Sequence, residues 1–315
     1  MSEVQSSTLR APVRLPAMPT EAEARASYAS FEMERARMDG GRLVFEHPRG
    51  FARALSQGFF LLKIPDGVDT SPGDLFASHF FEDLRQDELD VYRGFHRVAV
   101  PGDYQGYFDR EHDQWENFYI EMTSWEAILP PAVARLGHQM TDLGISVLRS
   151  IFEYLELPGE DWARVTSGLS EKRGHQMLAF NHFRANKSVR GTKFHRDSGW
   201  VTLLRSVEPG LLGLVEGQLR SIDPVPGYFT ANFGSSIEVL TERLPRPVRA
   251  NVHGVARTQR RPGQPERMSY VVFLDSNLAG SIYRYDGRSP VRVQSVAEFA
   301  VQEVSRTYDD DNEKL

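Results

Sequence analysis

Val201-Thr202-Leu203-Leu204-Arg205-Ser206-Val207, then Glu208-Pro209-Gly210, then Leu211-Leu212-Gly213-Leu214-Val215, reads as strand, turn, strand. Each apolar run is too short for a buried helix, and Pro and Gly bound it as they bound strands. The same texture continues on both sides. Residues 177–183 precede it, and residues 218–222, 228–233, 248–253, 268–274 and 281–285 follow. Pro224-Val225-Pro226-Gly227 and Arg261-Pro262-Gly263 add further breaks. From about Gln176 the chain therefore predicts many short strands joined by tight turns, which is a β-sandwich or barrel.

The front half has a different grain. Residues 19–38 are rich in Ala, Glu and Arg and predict a helix, as do residues 74–89. Gly58-Phe59-Phe60-Leu61-Leu62-Lys63-Ile64 is a buried strand closed by Pro65-Asp66-Gly67. After Pro130-Pro131, Val133, Leu136, Met140, Leu143, Val147 and Ile151 recur at steps of three and four. That spacing gives one apolar stripe, a supporting core helix ended by Leu157-Pro158-Gly159. The expectation is one domain of 315 residues. It has a helix-rich support region over about 1–165, a β-rich region over about 166–290, and a C-terminal helix or tail over about 291–315.

Composition narrows the function. The chain has no cysteine, which excludes disulfides, thiolate metal sites and a cysteine nucleophile. Its formal charge is -6 and its Lys and Arg are dispersed, so nucleic acid is not an expected partner. No apolar stretch reaches the length of a membrane span, and Met1 to Ser7 lack a signal core. A cytoplasmic protein is expected, with a monomer compatible with the sequence. The acidic stretch Asp309 to Glu313 is expected to be solvated.

Just before the opening stretch lies Phe194-His195-Arg196-Asp197-Ser198-Gly199-Trp200, and much later Asn251-Val252-His253. On a strand, residues i and i+2 share a face, so His195 and Asp197 can aim at one point while Arg196 turns away. His253 ends another predicted strand, which a sandwich can bring alongside. Two imidazoles and one carboxylate on one side of a metal suit Fe(II), with positions left open for substrate and dioxygen. Zinc accepts the same donors, so a zinc-binding β-sandwich stays open on this ground alone. Arg267 and Ser269 likewise share a strand face. Arg suits a bidentate carboxylate contact and Ser adds a hydroxyl. The alternative for Arg267 is a surface pair with Glu266. His112-Asp113 with Glu116 could also ligate a metal, but its polar setting predicts a solvated helix face or loop. His138 is expected to be packed or capped beside the apolar stripe.

His195-x-Asp197, His253 and Arg267-x-Ser269, in this order, resemble the non-haem iron, 2-oxoglutarate-dependent oxygenases of the isopenicillin N synthase type. The likeness runs over about residues 45–280. It takes in Gly58-Phe59-Phe60-Leu61, Phe80-Phe81, residues 177–183 and residues 226–241. The ordered combination is far more specific than any one motif. The resemblance implies a double-stranded β-helix (jelly roll), mostly β with flanking helices and a helical N-terminal region. It implies Fe(II) on His195, Asp197 and His253. It implies 2-oxoglutarate held through its far carboxylate by Arg267 and Ser269, with Asn181 beside it, and dioxygen as the other co-substrate. Where many relatives carry Asn-x-Tyr, this chain has Asn181-His182-Phe183, so a tyrosine hydroxyl is missing. Asp197 speaks against a halogenase, since halogenating relatives lack this carboxylate. The implied reaction oxidises an unactivated C–H bond of a small molecule by hydroxylation, desaturation or cyclisation. Specialised metabolism, such as antibiotic biosynthesis, is the expected setting. An iron oxidase of the same fold that needs no 2-oxoglutarate shares the Arg-x-Ser pattern. The front half offers Arg93, Tyr107, Phe118 and Tyr119 as candidate pocket residues, with core or surface roles expected for each. The loop at residues 260–265 is expected to be surface decoration, the alternative being a border of the substrate entrance.

Overall fold

A computed structural model describes residues 15–20, 23, 28–259, 263 and 265–307. Its strands are β1 (Arg35–Asp39), β2 (Arg42–Phe45), β3 (Phe59–Lys63), β4 (Gly106–Asp109), β5 (Trp115–Glu121), β6 (His175–Phe183), β7 (Val201–Ser206), β8 (Leu211–Val215), β9 (Gln218–Ser221), β10 (Tyr228–Phe233), β11 (His253–Val255), β12 (Arg267–Asp275), β13 (Ser281–Tyr285) and β14 (Pro290–Ser295). The frame is a nine-stranded sheet in the order β2-β1-β3-β10-β7-β12-β6-β5-β4. A three-stranded sheet, β11-β8-β9, lies against it, and β13 and β14 form a hairpin. This is the jelly roll expected from the sequence.

The large sheet is buried on both sides, and the side chains of one strand show how. In β3, Phe59 and Leu61 point to the small sheet, where they pack with Trp115, Phe183, Leu211, Val215 and Val255. Phe60 and Leu62 point the other way, into the main core. There the helix Pro131–Tyr154 lays Val133, Leu136, Met140, Val147 and Ile151 against the sheet, as its stripe predicts. Each such side chain contributes about 1.5–3 kcal/mol when fully buried. One face of the large sheet thus carries the stability, and the other faces the small sheet across the functional cavity.

Several expectations need correction. The helix expected over 19–38 is helical at Glu23 but is overturned over the rest of its described span: residues 19–20 and 28–34 are not helical, and Arg35–Asp39 is a strand. Residues 21, 22 and 24–27 of that span lie outside the described residues. Helix propensity loses to pairing, because β1 turns tightly into β2 and also runs parallel to β3. Gly40 and Gly41 make the two-residue turn with φ of 55° and 81°, which both central positions of this hairpin type require. The helix expected over 74–89 is Ser71–His79, with a short 3-10 turn at Glu88–Tyr92. The strand expected over 248–253 instead begins at His253. His195 sits on a single bridge to His253 rather than in a strand. The support region is less helical than expected: β1 to β5 all join the large sheet. At the other end, residues 290–307 form β14 and the helix Val296–Thr307. The acidic tail, the extreme N-terminus and most of the 260–265 loop lie outside the described residues.

Candidate metal and co-substrate site

The site lies where the segment before β7 meets β11. His195 and His253 exchange backbone hydrogen bonds, with His195 N to His253 O at 2.8 Å and His253 N to His195 O at 2.9 Å. That rung sets the two rings side by side, 4.6 Å between centroids. Asp197 follows on the same side. Arg196, between them, turns away to Glu238, which is buried in the helix Ser235–Thr241 (Nη1 to Oε2 3.0 Å). The first residues of that helix hold the loop: Ser235 N donates to Asp197 O at 2.7 Å and Ser236 N to Ser198 O at 3.0 Å. Gly199 and Gly234 make this approach possible, because a Cβ on Gly234 would run into the backbone of Gly199.

Hydrogen bonds orient the donors. Nδ1 of His195 lies 2.9 Å from Lys193 O, and Nδ1 of His253 lies 3.2 Å from Asn251 O. A carbonyl accepts only, so each Nδ1 carries the proton and each Nε2 faces inward. Asp197 Oδ2 accepts from Thr202 Oγ1 and from Asn232 Nδ2, both at 2.6 Å. Its other oxygen, Oδ1, faces the imidazoles, 3.8 Å from His195 Nε2 and 3.6 Å from His253 Nε2. One ligand atom from each residue lies within 4.8 Å of the others, the sole such trio of His, Asp or Glu among the described residues. Burial, and then the neighbouring His253, push His195 down to about 4. For Asp197, burial acts upward but is outweighed by His253, His195, Thr202 and Asn232, so it stays below the usual carboxylate range. A neutral imidazole beside an ionised carboxylate is the protonation state that a divalent cation needs. The donor set therefore fits Fe(II).

The cavity before these residues is lined by Phe59, Trp115, Asn181, Phe183, Thr202, Leu204, Asn232, Arg267, Ser269, Val271 and Phe273, among others. Strand alternation builds this wall. Arg267 pairs with Phe183, Ser269 with Asn181, and Val271 with Ala179, all on the inner face. Glu266 lies on the opposite side, bonded to His182, so the surface Arg267–Glu266 pair does not form. Arg267 is 5% exposed, with its guanidinium 4.4 Å above the Phe183 ring. Nε donates to Pro209 O at 3.2 Å, while the buried Nη1 has no acceptor. Burial draws this guanidinium down to about 10, with Glu208 opposing. A buried cation with an unanswered donor is a place for an anion. Phe183, where a tyrosine hydroxyl is missing, serves as the platform for Arg267.

All six candidate site residues therefore reach one cavity. The sequence reading missed Thr202 and Asn232, which hold Asp197, and Glu238, which draws Arg196 aside. No local motif marks them, because each acts through the tertiary packing of elements: Thr202 and Asn232 across paired strands, Glu238 from a helix. The expected solvated setting for Asp113 and Glu116 is overturned. Asp113 is buried against Arg190, and Glu116 is buried with His182 and Tyr107. Strand β5 carries Glu116 into the sheet, a strand the sequence reading did not identify. His138 is partly exposed, with its ring edge on Trp125 and Nε2 2.9 Å from Glu126. Of the other candidates, Arg93 is tied to Glu82, Asp87 and Asp90, Tyr107 to Glu116, and Phe118 to the main core. Tyr119 lies on the inner face with Ala179 and Val271.

Residues 174–276 match the family model of the 2OG-Fe(II) oxygenase superfamily. Comparison with curated protein sequences gives no match. Among solved structures, the fold is shared with a full-length Neurospora crassa protein in complex with alpha-KG and thymine: TM-score 0.60, 18% identity, 82% of this chain and 89% of that one covered. It is shared with the rice dioxygenase for auxin oxidation, at TM-score 0.64 and 19% identity over 90% and 98% of the two chains. JOX2 in complex with 2OG, Fe and JA gives TM-score 0.67 and 15% identity over 95% and 91%. No helix among the described residues is long and apolar enough to cross a membrane. The matching segment runs from just before β6 to just past β12 and takes in His195, Asp197, His253, Arg267 and Ser269, so the part of the chain that carries the site is similar to the 2OG-Fe(II) oxygenase superfamily.

Proposed function

We propose that His195, Asp197 and His253 hold the iron, that Arg267 and Ser269 hold the far carboxylate of 2-oxoglutarate, and that Asn181 borders it. The reading is carried by one observation: the inward-facing donors of the trio share a cavity with the unanswered Nη1 of Arg267. When bound, the iron couples oxidative decarboxylation of 2-oxoglutarate to oxidation of a substrate C–H bond. The chain's own residues do the rest. Thr202 and Asn232 keep Asp197 ionised and aimed, Lys193 and Asn251 fix the imidazole tautomers, and Arg267 sets the co-substrate's orientation.

The substrate of this reading is a small molecule with an unactivated C–H bond, oxidised by hydroxylation or by desaturation or cyclisation, in specialised metabolism such as antibiotic biosynthesis. The inner face beside the cavity supports an apolar substrate surface: Leu204, Val271 and Phe273 continue into Phe108, Tyr119, Ala179 and Met177. The thymine of the Neurospora crassa complex and the JA of the JOX2 complex are small molecules bound by proteins of this fold.

The test is a panel of small molecules scored by succinate release and product mass. Gain of one oxygen identifies hydroxylation, and loss of two hydrogens identifies desaturation or cyclisation. Asp197→Ala should abolish turnover; full activity in that variant would remove Asp197 from the metal. Substrate oxidation without succinate would instead favour the iron oxidase alternative.

A further inference from the structure

Four buried polar side chains cross the inner face in one line. Arg110 Nε donates to Asn117 Oδ1 at 3.0 Å, Asn117 Nδ2 to Asn181 Oδ1 at 2.8 Å, and Asn181 Nδ2 to Ser269 Oγ at 3.4 Å. All four are at most 6% exposed. The register places them there: Asn117 pairs with Asn181 across β5 and β6, and Asn181 with Ser269 across β6 and β12. Arg110 enters from the loop between β4 and β5, with its guanidinium 4.7 Å from the Phe108 ring and 6.0 Å from those of Trp115 and Tyr119.

An amide can face either way, but a guanidinium cannot accept. Arg110 therefore compels Asn117 to present its oxygen to it and its NH2 to Asn181. Asn181 must then receive on its oxygen and turn its NH2 toward Ser269. Ser269 accepts in turn, which leaves its own O–H to point into the cavity. With Arg267, the receptor shows donors only, as a carboxylate requires and a neutral group does not.

We propose that Arg110 and Asn117 are positioning residues that set the polarity of this relay and so the selectivity for a 2-oxo acid bearing a second carboxylate. The proposal rests on the assignment of Arg267 and Ser269 to the co-substrate's far carboxylate, and it adds to that assignment two residues that touch neither metal nor ligand.

The experiment is calorimetric binding of 2-oxoglutarate and of 2-oxopentanoate, which lacks the far carboxylate, to the full chain loaded with Mn(II) under anaerobic conditions. Wild type should prefer 2-oxoglutarate; no preference would overturn the co-substrate assignment itself. Asn117→Asp replaces the NH2 by an acceptor, so Asn181 must reverse and present its oxygen toward Ser269 and the ligand. Its affinity for 2-oxoglutarate should fall by about tenfold or more, the range for a hydrogen bond to a charged group, with 2-oxopentanoate little changed. Arg110→Gln, which lets Asn117 face either way, should lose part of the preference, and Arg110→Lys, again donor-only, should keep more of it. Wild-type preference in folded Asn117→Asp, or in Arg110→Gln if the first variant does not fold, would overturn the relay. An equal loss for both ligands would do so as well, since it marks a structural effect only.

Discussion

Asp197 is placed by what it does with its second oxygen. Thr202 and Asn232 occupy Oδ2 at 2.6 Å each, so the carboxylate has one free edge, and that edge faces the imidazoles. Groups that orient a ligand in this way are typically worth about 10–100-fold in metal affinity. Thr202→Val keeps the shape and removes one donor. Its metal affinity, measured by chelator competition, should fall by about tenfold, while thermal unfolding of the metal-free protein moves little. Unchanged affinity would show that Asn232 alone orients the group. The Arg267/Ser269 pair was legible in the sequence because alternation along a strand is a local property, whereas His195, Asp197 and His253 stood out by residue type and order, since His195 lies on a single bridge and not in a strand. Thr202 and Asn232 were not, because their role depends on which strands pair, and β7 pairs with β10 in register Thr202 to Asn232.

At the scale of elements, β5, β6 and β12 are tied on their outer face by a second polar group. His182 lies between Glu116, with Nδ1 to Oε1 at 2.7 Å, and Glu266, with Nε2 to Oε2 at 2.8 Å. It stacks on Phe81 at 3.7 Å. His182→Leu would leave Glu116 buried without its main partner, a loss of about 3–5 kcal/mol in chemical denaturation, since one member of a buried pair is removed. Metal affinity of the folded fraction should stay near wild type, because His182 faces away from the cavity. A loss below about 1 kcal/mol would show that Tyr107 and Arg184 suffice for Glu116. Elements with their own punctuation, such as β8, β10, β13 and the helix Pro131–Tyr154, could be read from the chain. β1 could not, since its residues favour a helix and only the Asp39-Gly40-Gly41-Arg42 turn marks the hairpin.

At the scale of the molecule, stability and function divide between the two faces of the large sheet. The main core sits against the long helix, and the cavity sits against the small sheet. Removing the metal should therefore lower stability without unfolding the chain. The loss is about 2.7 kcal/mol when metal had been present at 100 times its dissociation constant. The metal-free protein should be acid-sensitive in a defined window. His195 has a folded value of about 4 against an ordinary value of 6.5, so between these the unfolded chain binds more protons and stability falls as pH drops. Asp275, which burial holds up at about 6, works the other way in the same window. Thermal scans of chelated protein from about pH 7 to about pH 4 should therefore show wild type losing stability relative to His195→Asn as pH drops. The same pH dependence in both would contradict the buried, neutral state of His195.

The rung between His195 and His253 carries a consequence for how the site comes into being. Its two hydrogen bonds join parts of the chain that are far apart in sequence, and they exist only after β11 has docked beside β8. Contacts of such separation form late, because the intervening loop must first be closed. A metal held by both rings would bridge the same two distant segments, so its binding energy would add to the closure of that loop.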